Sequence, residues 1–561
     1  MSDEKLVVNE SPKKKISFFS AILIVLGGSI GAGIFLRSKS VLKYSANNLI
    51  WAILVWLIAG FAIICMALAL IEVASGRNDN LGMIGWAKAF NTLYIYKGTK
   101  AFMTYLYLPF TYFFMPYYVI VQFQDGLSAF NGVKIDFGGS HLAPWFYFLI
   151  GLGLTLWMLF TAGISSRAGN IQNWIVTLIK FLPIVLVVLI SFYLIVNNAG
   201  TTNSKLVLNK ITKSTLFNKD ATTLFGLSPF LAVFGALGGI FFAFDGFYVS
   251  AGVQSEMKNP EKTPAALAIG LASMTGIYVV IAVFMTLAAG SGGFYDYFSL
   301  ISAKWLWLFG LVNIFISVGI VGILNGFTMW ATRWIEDLIK EGELTVPAPI
   351  YKYMKNTKMP IVGTLFILII SLPFMVIFTA IGAYAYFDGS DYGTGYGHKI
   401  GELLSFSDLM ADWMAVFAFA FIMASVGGAI KNRKQKFIAV VENKHTIWAG
   451  SVAMVFVLLT MVFMVLNPFV SWILQLAKNN YKDASGKLTT DFLGAVCASA
   501  LFIVYTTVAF ASTPIEKAIV MAQQKSINSK LGKVSGKELD DLMLAKELND
   551  LAVKTFTEAR V

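Results

Sequence analysis

Gly27-Gly28-Ser29-Ile30-Gly31-Ala32-Gly33-Ile34-Phe35 falls inside an apolar run that extends from about 16 to 36. Each glycine inside a helix costs about 1 kcal/mol relative to alanine, so this density predicts an interrupted helix with Gly31 at the break. A second such stretch lies within 229–253. There Gly235, Gly238 and Gly239 precede Phe241-Phe242-Ala243-Phe244-Asp245-Gly246-Phe247, which sets a carboxylate and a further glycine, Gly246, deep in an apolar run. Backbone that leaves the helix at membrane depth survives only where protein or a watery cavity satisfies its N–H and C=O groups. Two breaks therefore suggest one shared polar site. The simpler alternative is close helix packing, since Gly27 and Gly31, or Ser29 and Gly33, form small-xxx-small pairs.

The surroundings of both stretches are those of a membrane protein. Of the 561 residues 57% are hydrophobic and 13% charged, too little polar surface for a water-soluble globule. Runs long enough to cross about 30 Å of hydrocarbon occur at 16–36, 48–73, 101–124, 144–162, 173–197 and 229–253, then at 264–289, 305–330, 360–387, 408–428, 446–466 and 491–511. The reading is an all-α integral membrane protein of about twelve transmembrane helices. Its first and sixth spans hold the same place in two successive five-span units.

The net charge of +12 is spread over short loops, which speaks for topology signals and against a nucleic-acid partner. With a cytoplasmic N-terminus, most Lys and Arg fall on the cytoplasmic side, so both termini are expected there in a multi-pass protein of the cell membrane. Arg37, Lys39 and Lys43, with four lysines in the 198–225 loop, lie on the other side. Lys13, Lys14 and Lys15 precede a run too long for a signal peptide, which reads as an uncleaved first span. Cys65 and Cys497 sit in apolar stretches, and His141, His398 and His445 each lie near a loop, so no metal site, cofactor or catalytic cluster is expected. The segment 512–561 spaces Leu539, Leu542, Met543 and Leu548 as a solvated or membrane-surface helix would.

Two charges lie within spans. Asp245 is expensive to insert, by about 2.5–3.5 kcal/mol on insertion scales. It could pair with a cationic substrate, carry a proton, or cap the backbone freed by the break. Lys180, in the fifth span, could snorkel to the headgroups on its four-carbon stem or act in coupling. Asn313, Asn325 and Tyr112 read as packing residues.

These stretches resemble the amino acid–polyamine–organocation (APC) superfamily of permeases. Ile30-Gly31-Ala32-Gly33-Ile34-Phe35 is similar to its first-helix signature, and Phe242 to Phe247 followed by Glu256-Met257-Lys258-Asn259-Pro260 to its sixth-helix signature. Gln172-Asn173 with Thr177 to Pro183, Arg333 through Gly342 to Pro347, and Glu72 fit as well. The resemblance implies a LeuT-like 5+5 inverted-repeat core with helices one and six broken, plus two accessory helices. Divided accordingly, 1–15 is a cytoplasmic tail, 16–428 the core, 429–511 the accessory spans and 512–561 a second cytoplasmic tail. The resemblance also implies that Ala32 and Gly33 offer N–H groups to a substrate carboxylate. Carbonyls at Ile30, Phe242 and Asp245 would receive its ammonium, and Phe242 would form an aromatic gate. Lys180 would stand where sodium-dependent relatives hold sodium, bridging helices one and five. This chain departs from the pattern at Asp245, where an apolar residue is common, and at Asn80-Leu81-Gly82, where a proline is expected.

The expected function is secondary active transport of amino acids by alternating access, as a sodium-independent antiporter or proton symporter. Half-helix ends would receive the two charges of a zwitterion. A polyamine or cationic amino-acid carrier is the alternative within transport, favoured by Asp245; a transporter-like nutrient sensor or a channel is the alternative outside it. An enzyme is not expected, because the spans carry few ionisable groups. The partners implied are a small amino acid or amine, protons and the lipid bilayer.

Overall fold

The computed structural model describes residues 17–29, 33–77, 81–197, 217–248, 258–259, 262–355, 359–386, 392, 395–531 and 533–557. Among them the protein is helical throughout, and the β pairing present is a single isolated bridge between Lys482 and Leu488. Among the described residues eight helices are long and apolar enough to cross a membrane. They coincide with the second, fourth and seventh to twelfth of the expected spans.

The other expected spans are assembled from shorter pieces. The first comprises α1 (Phe18–Ser29) and α2 (Gly33–Tyr44). The second is α3 (Leu49–Gly76), started by Asn48, whose side chain accepts from the Trp51 N–H at 2.9 Å. After α4 (Met83–Phe90), the third span runs through α5 (Leu93–Phe102), a π turn (Met103–Tyr107) and α6 (Leu108–Asn131). Then come α7 (Ala143–Met158), α8 (Ser166–Ile179) and α9 (Leu182–Val196). The fifth span parts at Lys180-Phe181 because Pro183 lacks an N–H and its ring would strike the carbonyl one turn earlier. The sixth span is α10 (Pro229–Ala243).

Five long helices follow: α11 (Thr263–Ala289), α12 (Leu306–Lys340), α13 (Ile361–Tyr384), α14 (Ile400–Gln435) and α15 (Thr446–Ala477). The chain ends in α16 (Thr490–Lys530) and α17 (Lys537–Thr557). Lipid tails are as apolar as leucine, so close packing holds such a bundle together. The crossing of α6 and α12 shows how: a Cβ on Gly310 would lie 3.0 Å from the Gly126 carbonyl oxygen.

The carboxyl-terminal part differs from expectation. The last apolar helix does not stop near 511 but continues to Lys530, carrying Pro514 within it. Nor is α17 merely solvated or laid on the membrane: it folds back and buries Ala545, Asn549 and Ala552 together with Val520 and Ile527 of α16. The Asn549 amide donates to the Val520 carbonyl at 3.3 Å, and the backbone of Leu551 and Ala552 packs on Gly342, whose φ is +70°.

Candidate functional site

The sixth span begins and ends by local rules. Ser228 caps α10 by accepting from the Phe230 N–H at 3.2 Å, and Pro229 opens its first turn. The helix stops at Ala243, short of the expected end of the span. Phe244 donates back to Ile240 at 3.1 Å and Asp245 to Phe242 at 3.1 Å; then Gly246 takes φ +92°, a conformation that side chains rarely adopt. Gly246 thus lies three residues beyond the helix end, and residues 249–253 of the expected span lie outside the described residues.

Two side chains serve the backbone released there, and a third holds one of them. The Tyr278 hydroxyl donates to the Ala243 carbonyl at 3.2 Å. Asp245 Oδ1 accepts from the Gly246 N–H at 2.9 Å, and Oδ2 accepts from the Tyr107 hydroxyl at 2.7 Å. Tyr107 lies 3.1 Å from the Tyr248 hydroxyl, so a chain of two phenols ends on the carboxylate. Asp245 and Tyr248 are partly accessible while Tyr107 is buried. Of the roles open to Asp245, capping the turn is therefore realised in its geometry. Tyr107 was not singled out from the sequence; it reaches the break because the π turn, closed by the Leu108 N–H on the Met103 carbonyl, rotates the third span locally.

The start of α2 meets the end of α10. A Cβ on Gly33 would lie 2.6 Å from Ala243 Cα, so only glycine permits this approach. The head of one helix is thereby set against the tail of another, the two places where backbone N–H and C=O groups leave the helical ladder. Ile30, Gly31 and Ala32, the other first-helix candidates, lie outside the described residues, as do Glu256, Met257 and Pro260.

Phe242 is buried one turn before the break. Its ring lies 5.6 Å from Phe114 and 6.0 Å from Tyr118, and the Arg37 guanidinium carbon sits 4.8 Å from its centroid. Arg37, read from the sequence as a misplaced loop charge, is 1% exposed and bonded to Asp408 at 2.5 Å and Asp412 at 2.9 Å, both on α14. Tyr118 donates to Asp408 at 2.7 Å, and Tyr392 donates to its other oxygen at 3.0 Å. Gly239 makes room: a Cβ there would lie 3.3 Å from Arg37 Cδ and 3.5 Å from Asp412. The layer closes one side of Phe242.

Lys180 lies at the junction of α8 and α9. Its backbone N–H donates to Val176 at 3.0 Å, its Cβ faces Gly319 of α12, and its ammonium lies 5.6 Å from the Phe181 ring centroid. Glu72 ties α3 to the end of α14. It accepts from Arg433 Nε at 2.9 Å and from the Asn443 N–H at 3.0 Å, while the Asn443 amide donates to Leu68 at 2.8 Å. Among the described residues no three His, Cys, Asp or Glu side chains are placed to hold a metal ion.

The profile of the amino acid permease family matches residues 16–482. An uncharacterized protein of Mycoplasma pneumoniae is 40% identical over 491 residues, covering 82% of this chain and 85% of its own length. The serine/threonine exchanger SteT of Bacillus subtilis is 24% identical over 273 residues, 48% of this chain and 54% of SteT. Among solved structures, a manganese transporter of Eremococcus coleocola is similar over 89% of this chain and 94% of its own, at 13% identity and a TM-score of 0.49.

Proposed function

Because the chain belongs to the amino acid permease family, we propose that it is a secondary transporter that moves amino acids by alternating access, with the substrate held where α2 begins and α10 ends. The observation that carries this reading is the contact of Gly33 with Ala243 beside the bonded Asp245 and Tyr107. A carboxylate suits the N–H groups at the head of α2, from Ala32 and Gly33, and an ammonium suits the carbonyls of Ile30, Phe242 and Asp245. A zwitterion fits both and needs no covalent chemistry. Gly31 and Gly246 supply the breaks.

Asp245 already holds a partner on each oxygen. This favours a neutral amino acid over a polyamine or cationic one, which would have to share or displace those bonds. The alternating step is read as movement of α2 and α10 against the third and tenth spans, opening or closing the Arg37 layer over Phe242. The protein sits in the cell membrane with both termini cytoplasmic, and that layer then seals the outer side. Residues 16–428 form the transporting core, 429–511 the accessory spans, and 1–15 and 512–561 the tails. The one cation of the fifth span, Lys180, takes the place of sodium, so transport is sodium-independent and proceeds by exchange or with protons. The naming of SteT as a serine/threonine exchanger supports the exchange mode.

The test is counterflow in liposomes reconstituted with purified protein. A panel of labelled amino acids and polyamines is used, without sodium, with and without a pH gradient. Saturable uptake of one chemical class is expected. Absence of uptake by folded protein would turn the reading towards a nutrient sensor.

A further inference from the structure

The π turn that presents Tyr107 is held from its other side by the carboxyl-terminal helices. Tyr105 and Tyr107 are two residues apart in that turn and project in roughly opposite directions. Tyr107 faces the break in α10, whereas the Tyr105 hydroxyl donates to Glu516 Oε1 of α16 at 2.6 Å. The second oxygen of Glu516 is bonded to the Lys100 ammonium, which also donates to the Glu343 carbonyl at 2.7 Å. Lys97, one turn earlier, bonds Glu343 at 3.2 Å and Thr555 of α17 at 3.0 Å, with the Phe556 ring 4.2 Å away. Lys97 and Lys100 are each 1% exposed, buried where α16 and α17 meet the third span.

We propose that Glu516 is a positioning residue for the substrate site: through Tyr105 it fixes the π turn of the third span, and with it the Tyr107 hydroxyl that holds Asp245. A π turn is a single-turn irregularity within an α-helix that changes the facing of the residues it carries. Two hydroxyl bonds on opposite sides, one to α16 and one to α10, oppose a change of that facing. Glu516 takes no part in binding substrate; it determines where Tyr107 stands. This rests on the proposed reading of the Asp245 region as the substrate site.

The experiment compares Tyr105→Phe, Glu516→Ala, Glu516→Gln and Tyr107→Phe in full-length protein reconstituted in liposomes, measuring KM and Vmax for counterflow together with thermal stability. Loss of one positioning bond is expected to raise KM about fivefold, with Vmax within about twofold, the scale of one hydrogen bond. Tyr105→Phe removes only a hydroxyl and guards against misfolding of Glu516→Ala. Glu516→Gln keeps an acceptor for Tyr105 and should recover most of the KM. Adding Tyr105→Phe to Tyr107→Phe should bring little further change, since both act on one bond to Asp245. If Tyr107→Phe shifts KM and Tyr105→Phe does not, the positioning role is overturned while the site stands. If Tyr107→Phe itself leaves KM unchanged, the site reading fails first. Additive effects of the two tyrosine changes would also overturn the proposal.

Discussion

Gly33 and Ala243 are in backbone contact across the site, with only 2.6 Å between Ala243 Cα and the place a Gly33 side chain would occupy. Gly33→Ala is therefore expected to force α2 and α10 apart, destabilising the protein by about 1–3 kcal/mol. Counterflow should fall at least about tenfold, the size of a 1.4 kcal/mol loss. Initial rates at equal amounts of folded protein decide it; a wild-type rate in Gly33→Ala would remove the contact from the mechanism.

Arg37 supplies the positive charge facing both Asp408 and Asp412. Truncating it strands two carboxylates, and breaking a buried pair costs on the order of 3–5 kcal/mol. Arg37→Gln should consequently lower thermal stability and open the layer over Phe242. In a background lacking Cys65 and Cys497, a cysteine at Tyr118 should react faster with a water-soluble thiol reagent once Arg37 is changed. An unchanged labelling rate would show that the layer does not occlude the path.

Asp245→Asn retains an acceptor for the Gly246 N–H and a polar partner for Tyr107. Uptake of neutral amino acids should survive with KM within about threefold, the value of a weakened hydrogen bond. Selective loss of cationic substrates in the same counterflow panel would instead establish Asp245 as their receptor.

Glu72 is fully buried and gathers Arg433 and the Asn443 N–H. Glu72→Ala should lower stability by about 3 kcal/mol, read as a drop in the melting temperature of the purified protein. Glu72→Gln, which keeps an acceptor for Asn443, should lose less.

Lys180→Ala should abolish any response of uptake to an imposed pH gradient while leaving saturable exchange measurable. A gradient response retained in the variant would assign proton coupling elsewhere.

The break in the sixth span could be read from the sequence because its causes are local. Asp245-Gly246 carries both the residue that turns the chain and the residue that caps the turn. The interruption of the fifth span at Lys180 was equally available from Pro183. The Arg37 layer could not be read the same way, since Arg37 and Asp408 are 371 positions apart. A count of loop charges registers the arginine only as an exception. The spacing of Asp408 and Asp412, four apart at the start of an apolar run, was the one hint. Tyr107 was invisible because no residue pattern announces a π turn. The apolar spacing of α17 was legible, but not the Lys97 and Glu343 it would cover.

The cluster beneath the third span has a consequence for how the protein is made. Lys100 and Glu516 are separated by 416 positions, and Lys97 and Glu343 by 246. A ribosome therefore delivers the lysines to the membrane long before their carboxylates exist. Until then Lys97 and Lys100 lack those carboxylates, and an uncompensated charge is costly to bury in the membrane. The buried ion pairs are complete only once the eighth and twelfth spans are in place. A chain broken off before Glu516 would keep Lys100 without its carboxylate partner, a mark by which a membrane protease could tell it from the finished fold.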